Sequence, residues 1–263
     1  MYTIYQVDSF TAVPFKGNPA GVMIVDEHFL VEKMQDLAAE MNLSETAFVI
    51  PYGDEFRIRY FTPNREVPLC GHATLASGHI LYELGIKKAD ESIVFKAEGG
   101  ELTINKQGDW IVMNFPAYPL TKMDIPVGFK ASVGFEPLEM YSSIYEWVIA
   151  VAASEADILH AQPDLERIIT SGLGHLMITA KGEQPDRDFV LRVFAPLAGI
   201  NEDPVTGTAH CALTPLWHAK TGKSEFNSYQ LSKRTGRLKV KLLNDRVEIK
   251  GQAITVFQAE LRV

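Results

Sequence analysis

What most constrains the fold is an internal duplication. Phe56-Arg57-Ile58-Arg59-Tyr60-Phe61-Thr62-Pro63 and Phe189-Val190-Leu191-Arg192-Val193-Phe194-Ala195-Pro196 share the pattern F-x-[IL]-R-x-F-x-P, offset by 133 in a chain of 263 residues. After each copy a small-residue segment opens a run of helical periodicity, Cys70-Gly71-His72-Ala73-Thr74-Leu75 and Thr206-Gly207-Thr208-Ala209-His210-Cys211. The runs stop at Gly85 and Gly222, where a helix-ending glycine is expected. Before each copy lies a candidate helix and then a short apolar strand, residues 30–41 and 47–50 in the first case, 164–171 and 176–180 in the second. One octapeptide could recur by chance; an ordered set of four elements reads as two copies of one unit.

The proline-spaced stretch from Pro116 to Pro126 lacks periodicity and reads as the linker, dividing the chain into halves 1–118 and 119–263 of ordinary domain size. Within the first octapeptide Arg57 and Arg59 face one way and Phe56, Ile58 and Tyr60 the other, as in a half-buried strand. Similar strands are expected at 103–104, 110–115, 238–243 and 246–249, the last two flanking a turn at Asn244-Asp245. The class is sheet-rich α+β. Ala73, Leu75, Ala76, Ile80 and Leu81 leave the helix after Gly71 apolar or small on every side, as a helix surrounded by sheet requires. Pro215 should kink its counterpart or shorten its first turns.

Charge and composition narrow the function. A net charge of −8 with no Lys/Arg cluster lacks the footprint of a nucleic-acid binder. The N-terminus has neither a basic start nor an apolar run, and no stretch is long enough to span a bilayer, which points to the cytoplasm and away from membranes. The chain has no dinucleotide fingerprint and no phosphate loop, so nothing in it contradicts a reaction that needs neither an organic cofactor nor a metal.

Gly71-His72 and Gly207-Thr208 each offer backbone N–H groups at the positive end of a helix, a place for a carboxylate. Facing one another across a cleft they would hold a small anionic metabolite; singly, each glycine could serve only a tight turn. A thiol at each helix start would make a two-cysteine racemase, the layout of diaminopimelate epimerase. Cys70 stands where such a thiol belongs, but its counterpart in the repeat is Thr206, and Cys211 falls one turn inside the helix as a buried small hydrophobe. A zinc site from Cys70, His72, His210 and Cys211 has the right residue types and poor spacing. His79 and His218, farther along the helices, should cap or face solvent.

Asp8 with Gly17-Asn18-Pro19-Ala20-Gly21, Asn42-Leu43-Ser44-Glu45-Thr46-Ala47-Phe48, Phe61-Thr62-Pro63, Gly71-His72-Ala73-Thr74, Glu202-Asp203-Pro204-Val205-Thr206-Gly207-Thr208-Ala209, and Gln230 with Arg234-Thr235-Gly236-Arg237 occur in this order. In these six motifs the chain resembles the phenazine-biosynthesis (PhzF-like) family from end to end. The resemblance implies the diaminopimelate epimerase-like fold, two domains each with a curved, mostly antiparallel sheet wrapped round a central helix, assembled as a homodimer. It also implies that Glu45 moves a proton in an isomerisation, as on dihydro-hydroxyanthranilate in the phenazine pathway. His72 and Asp203 would be catalytic partners, and Asn18, Cys70, Gly71, Gly207 and Thr208 substrate contacts. Thr208 replaces the usual serine, and Cys70 keeps a thiol at a variable position.

The residues alone leave alternatives. Glu45 at a helix-to-strand junction should be partly desolvated, which raises a carboxyl pKa toward proton-transfer range, yet a capping-box residue or turn charge would look the same. Asp203 before Pro204 could organise a turn, Glu202 should face solvent, and Asp8 and Asn18 could bind substrate or pin the N-terminal loop. Arg59 and Arg192 fit structural ion pairs or substrate clamps, and Arg237 either. Three functions therefore stand: a proton-transfer isomerase, a racemase using Cys70, and a binding protein without chemistry.

Overall fold

Alternation in the first octapeptide produces a strand with one dry face, where Phe56, Ile58 and Tyr60 are buried and Arg57 is exposed. The structure, a computed structural model, describes residues 2–262. Its first half runs β1 (Thr3–Ser9), β2 (Asn18–Ile24), α1 (Val31–Met41), β3 (Glu45–Tyr52), β4 (Glu55–Phe61), β5 (Glu66–Val67), α2 (Gly71–Glu83), β6 (Ile93–Ala97), β7 (Gly100–Gln107) and β8 (Trp110–Pro116). The second runs β9 (Thr121–Met123), α3 (Lys130–Val133), β10 (Glu139–Ser142), β11 (Trp147–Val151), α4 (Glu155–His160), α5 (Leu165–Thr170), β12 (His175–Lys181), β13 (Phe189–Phe194), α6 (His210–Thr221), β14 (Glu225–Gln230), β15 (Gly236–Leu243) and β16 (Arg246–Gly251). A last strand, β17 (Ala253–Glu260), closes the chain.

The duplication is topological. In the first half β2–β3 are parallel, β3–β4 antiparallel, β4–β6 parallel and β6–β7 antiparallel. In the second β11–β12, β12–β13, β13–β14 and β14–β15 repeat that sequence of pairings. Each is a mostly antiparallel α+β sheet, the class expected.

The division departs from halves 1–118 and 119–263: residues 1–114 group with 250–263, and 115–249 form the other unit. β17 runs antiparallel to β1, from Thr3↔Glu260 to Ser9↔Ala253, and so completes the first unit's sheet. β9 does the same for the second unit by pairing with β10. The stretch expected to be an unstructured linker therefore contains a strand; three residues carry too little alternation to show a period, and the prolines flank it.

α2 lies almost wholly in the core, with only His79 and Glu83 outside the buried set. α6 starts at His210, three residues later than the repeat register places it, because Gly207, Thr208 and Ala209 form a turn closed by i→i+3 bonds from the N–H groups of His210, Cys211 and Ala212. Pro215 sits inside α6 and, lacking an N–H, leaves the Cys211 carbonyl without its helical donor. Tyr118 supplies one, its backbone N–H donating to Cys211 O at 2.8 Å. Phe189 of β13 stacks on Trp217 of α6 with centroids 5.7 Å apart, and Trp217 Nε1 donates to Thr179 Oγ1 at 3.1 Å.

The repeated arginines make matching ion pairs. Arg59 holds Glu66 through two bonds of 2.7 Å, and Arg192 holds Glu202 at 2.7 and 3.0 Å. Glu202, expected to face solvent, is instead half-buried, because Arg192 also donates to the Ile158 and Ala161 carbonyls and fixes its guanidinium there.

Candidate active site

Four chain segments of the first unit end at one place. Asn42, at φ 50°, terminates α1 and lets Glu45 begin β3, where it stands opposite Ala20 of the parallel β2. Asn18 starts β2 opposite Ser9, the last residue of β1. Cys70 is the N-cap of α2, with Gly71 and His72 in its first turn. Glu45 Oε2 lies 3.4 Å from His72 Nε2, close but without the alignment of a hydrogen bond. Cys70 Sγ and Asn18 Nδ2 each lie 3.4 Å from His72 Nδ1, and Ser9 Oγ donates to the His72 carbonyl at 2.8 Å.

This cluster is dry. Cys70 and His72 are each 7% exposed, Asn18 is fully buried, and the Glu45 side chain is 14% exposed. Burial pushes the His72 imidazole down to about 4, so it is neutral at pH 7. With the Asn18 amide N–H directed at Nδ1, the tautomer that fits this contact carries its proton on Nε2, on the side facing Glu45. A carboxylate beside a neutral N–H in a dry place can hold or release a proton without opposing a fixed charge. Asp8 Oδ2 accepts the Phe15 N–H at 2.7 Å.

In the second unit the hydroxyl of Thr206 donates to Asp203 Oδ2 at 2.5 Å. Gln230 clamps both ends of that turn: Oε1 accepts the Thr206 N–H at 2.8 Å, and Nε2 donates to Asp203 O at 2.7 Å. His210 Nδ1–H reaches the Thr206 and Gly207 carbonyls at 3.0 and 3.2 Å, while Nε2 accepts from Ser228 Oγ at 2.8 Å. These bonds fix the Gly207-Thr208 turn. Asp203 is thus held within the turn by Thr206 and Gln230.

The two buried histidines make acid stability informative. Burial pushes His210 down to about 4 as well, against an ordinary 6.5. Between those values the unfolded chain binds protons that the folded chain refuses, so stability present above pH 6.5 is lost as pH falls toward 4. The urea midpoint should drop from pH 7 to pH 5, with a slope approaching two protons, above the range where carboxylates titrate. A midpoint unchanged over that interval would contradict neutral burial of both rings.

Of the expected site residues, Asn18, Glu45, Cys70, Gly71 and His72 come together in the first unit, and Asp203, Gly207 and Thr208 lie on one clamped turn in the second. Ser9, His210 and Ser228 were not singled out for these roles, since a hydroxyl or imidazole that braces a backbone carbonyl leaves no spacing signal. His79 bonds Glu83 at 2.8 Å, and His218 donates to Lys223 O at 2.7 Å near the end of α6. Burial pushes the Cys211 thiol up to about 12, the behaviour of a core residue. Among the described residues, one set of donors could hold a metal ion: Glu45, Cys70 and His72, whose ligand atoms lie within 4.8 Å of one another.

The family model described as phenazine biosynthesis-like protein matches residues 7–259. An uncharacterised isomerase of Halalkalibacterium halodurans is 46% identical over 262 residues, covering 98% of this chain and 97% of the relative. The crystal structure of a PhzF-family phenazine biosynthesis protein from Enterococcus faecalis superposes with TM-score 0.95 at 35% identity, covering 100% of this chain and 99% of the other. In fold alone the likeness extends to a predicted epimerase from Pseudomonas aeruginosa, at TM-score 0.73 and 20% identity over the whole of both chains.

Proposed function

The chain belongs to the phenazine biosynthesis-like protein family, and from that premise we propose that it is a cytoplasmic, homodimeric isomerase that moves a proton on a small carboxylate-bearing metabolite, with Glu45 removing and returning it. One observation carries this reading: a largely buried carboxylate 3.4 Å from a neutral imidazole whose far nitrogen is engaged by Asn18 and Cys70. His72 then steadies the carboxylate through Nε2–H when it is charged, without a positive charge that would hold it so. In the same reading Asp203 is a second acid–base group. Asn18, Cys70, Gly71, Gly207 and Thr208 contact substrate, the two glycine turns through backbone N–H groups suited to a carboxylate. No organic cofactor is needed for a proton transfer of this kind.

The test uses a panel of small carboxylates. Those that bind raise the melting temperature, and incubating each binder with the protein in deuterium oxide should exchange one carbon-bound hydrogen or yield an isomer, read by NMR. Binders that neither exchange nor isomerise would favour a binding protein without chemistry. The contact of Cys70 with His72 Nδ1 supports a second reading, a racemase in which the thiol moves the proton. In that case Cys70→Ala would lose turnover about a thousandfold, whereas the carboxylate reading leaves most of it.

A further inference from the structure

We propose that Glu45, Cys70 and His72 also form a binding site for a thiophilic divalent cation, zinc being the type, which takes the same three side chains out of proton transfer. Thiolate, imidazole and carboxylate are the ligands zinc selects, and three protein donors with water in the fourth position is the count of an open zinc site. The spacing suits it. Cys70 Sγ and His72 Nδ1 are 3.4 Å apart; with bonds of about 2.3 Å to sulfur and about 2.1 Å to nitrogen, that separation subtends about 100° at a shared ion, near tetrahedral. Glu45, 3.4 Å from Nε2 of the same ring, completes the set within 4.8 Å of the other donors, and an ion on Nδ1 takes the lone pair that Asn18 otherwise meets.

The surroundings favour the charge distribution a cation needs. Cys70 caps the thirteen-residue α2, where the helix dipole stabilises a thiolate. Low exposure around all three strengthens their attraction to an ion. The pair His210 and Cys211, weighed with them from the sequence, is already committed: the ring of His210 bonds Thr206, Gly207 and Ser228, and Cys211 is a core thiol.

Shutting off the isomerase rests on the role proposed for Glu45; binding of the ion does not, and it is read without substrate. The full chain is titrated with cobalt(II) at pH 7.5, followed by zinc competition and calorimetry. One equivalent should bind with a thiolate-to-cobalt charge-transfer band in the near ultraviolet, displaced by zinc, with affinity falling toward pH 6 as the thiol keeps its proton. Cys70→Ser should abolish the band, and Cys70→Ser and Glu45→Gln should each weaken binding about a hundredfold, given that loss of even an outer-sphere partner costs about 10–100-fold. Cys211→Ala should bind as the parent does. Absence of saturable binding, absence of the band, or equal affinity in the folded Cys70→Ser variant would overturn the proposal.

Discussion

Gly17→Ala is expected to lower the melting temperature by about 6–12 °C, the equivalent of about 3 kcal/mol in a chain of this size. Gly17 has φ +68°, and a Cβ there would stand 2.2 Å from the Ser9 carbonyl oxygen and 2.7 Å from Thr11 Cγ2. The left-handed conformation costs a side chain about 1–2 kcal/mol, and crowding against backbone that cannot swing away adds about 1–3 kcal/mol. Gly53→Ala separates the two causes, since Gly53 has φ +61° with nothing within 4 Å of an added Cβ and should show the conformational cost alone. The Gly17 substitution should also reach the site. Ser9 braces the His72 carbonyl, and Asn18, the residue after Gly17, contacts the His72 ring. Ligand-induced stabilisation should therefore fall in Gly17→Ala and persist in Gly53→Ala. A Gly17→Ala protein melting within about 2 °C of the parent would contradict the close approach.

The fold was legible where a pattern spans many residues. The octapeptides, the buried helices and their ends at Gly85 and Gly222 follow from period and composition, and both glycines take positive φ, 68° and 74°. The place of the last strand was hidden, because β17 follows the second half in sequence yet pairs with β1 in the first unit's sheet. Pairing partners are set by the whole sheet and leave no local mark. The start of α6 was misplaced for a similar reason: His210 turns its ring back onto the Thr206 and Gly207 carbonyls, and the same residue type at His72 faces a carboxylate instead. For the candidate site, residue identities came from motifs, whereas the tautomer of His72, the bracing by Ser9 and the Gln230 clamp on Asp203 required coordinates. Arg59 and Arg192 carried two readings in sequence, and only their bidentate bonds to Glu66 and Glu202 select the structural one.

Glu45→Gln tests the central claim most directly, once a converted carboxylate is in hand from the deuterium screen. Glutamine keeps the size of the side chain and can still meet His72 Nε2–H through its amide oxygen, but it cannot carry the proton. Parent and variant are run side by side in deuterium oxide, with binding followed by thermal shift and product analysed for deuterium. A single carboxyl that removes and redelivers the proton leaves part of the original hydrogen in product, to an extent set by exchange with solvent between the two steps. In Glu45→Gln, turnover and deuterium uptake should fall together by about a hundredfold or more, about 2.7 kcal/mol of barrier, while ligand binding persists. A folded, ligand-binding Glu45→Gln protein that isomerises at close to the parent rate would show that another group moves the proton.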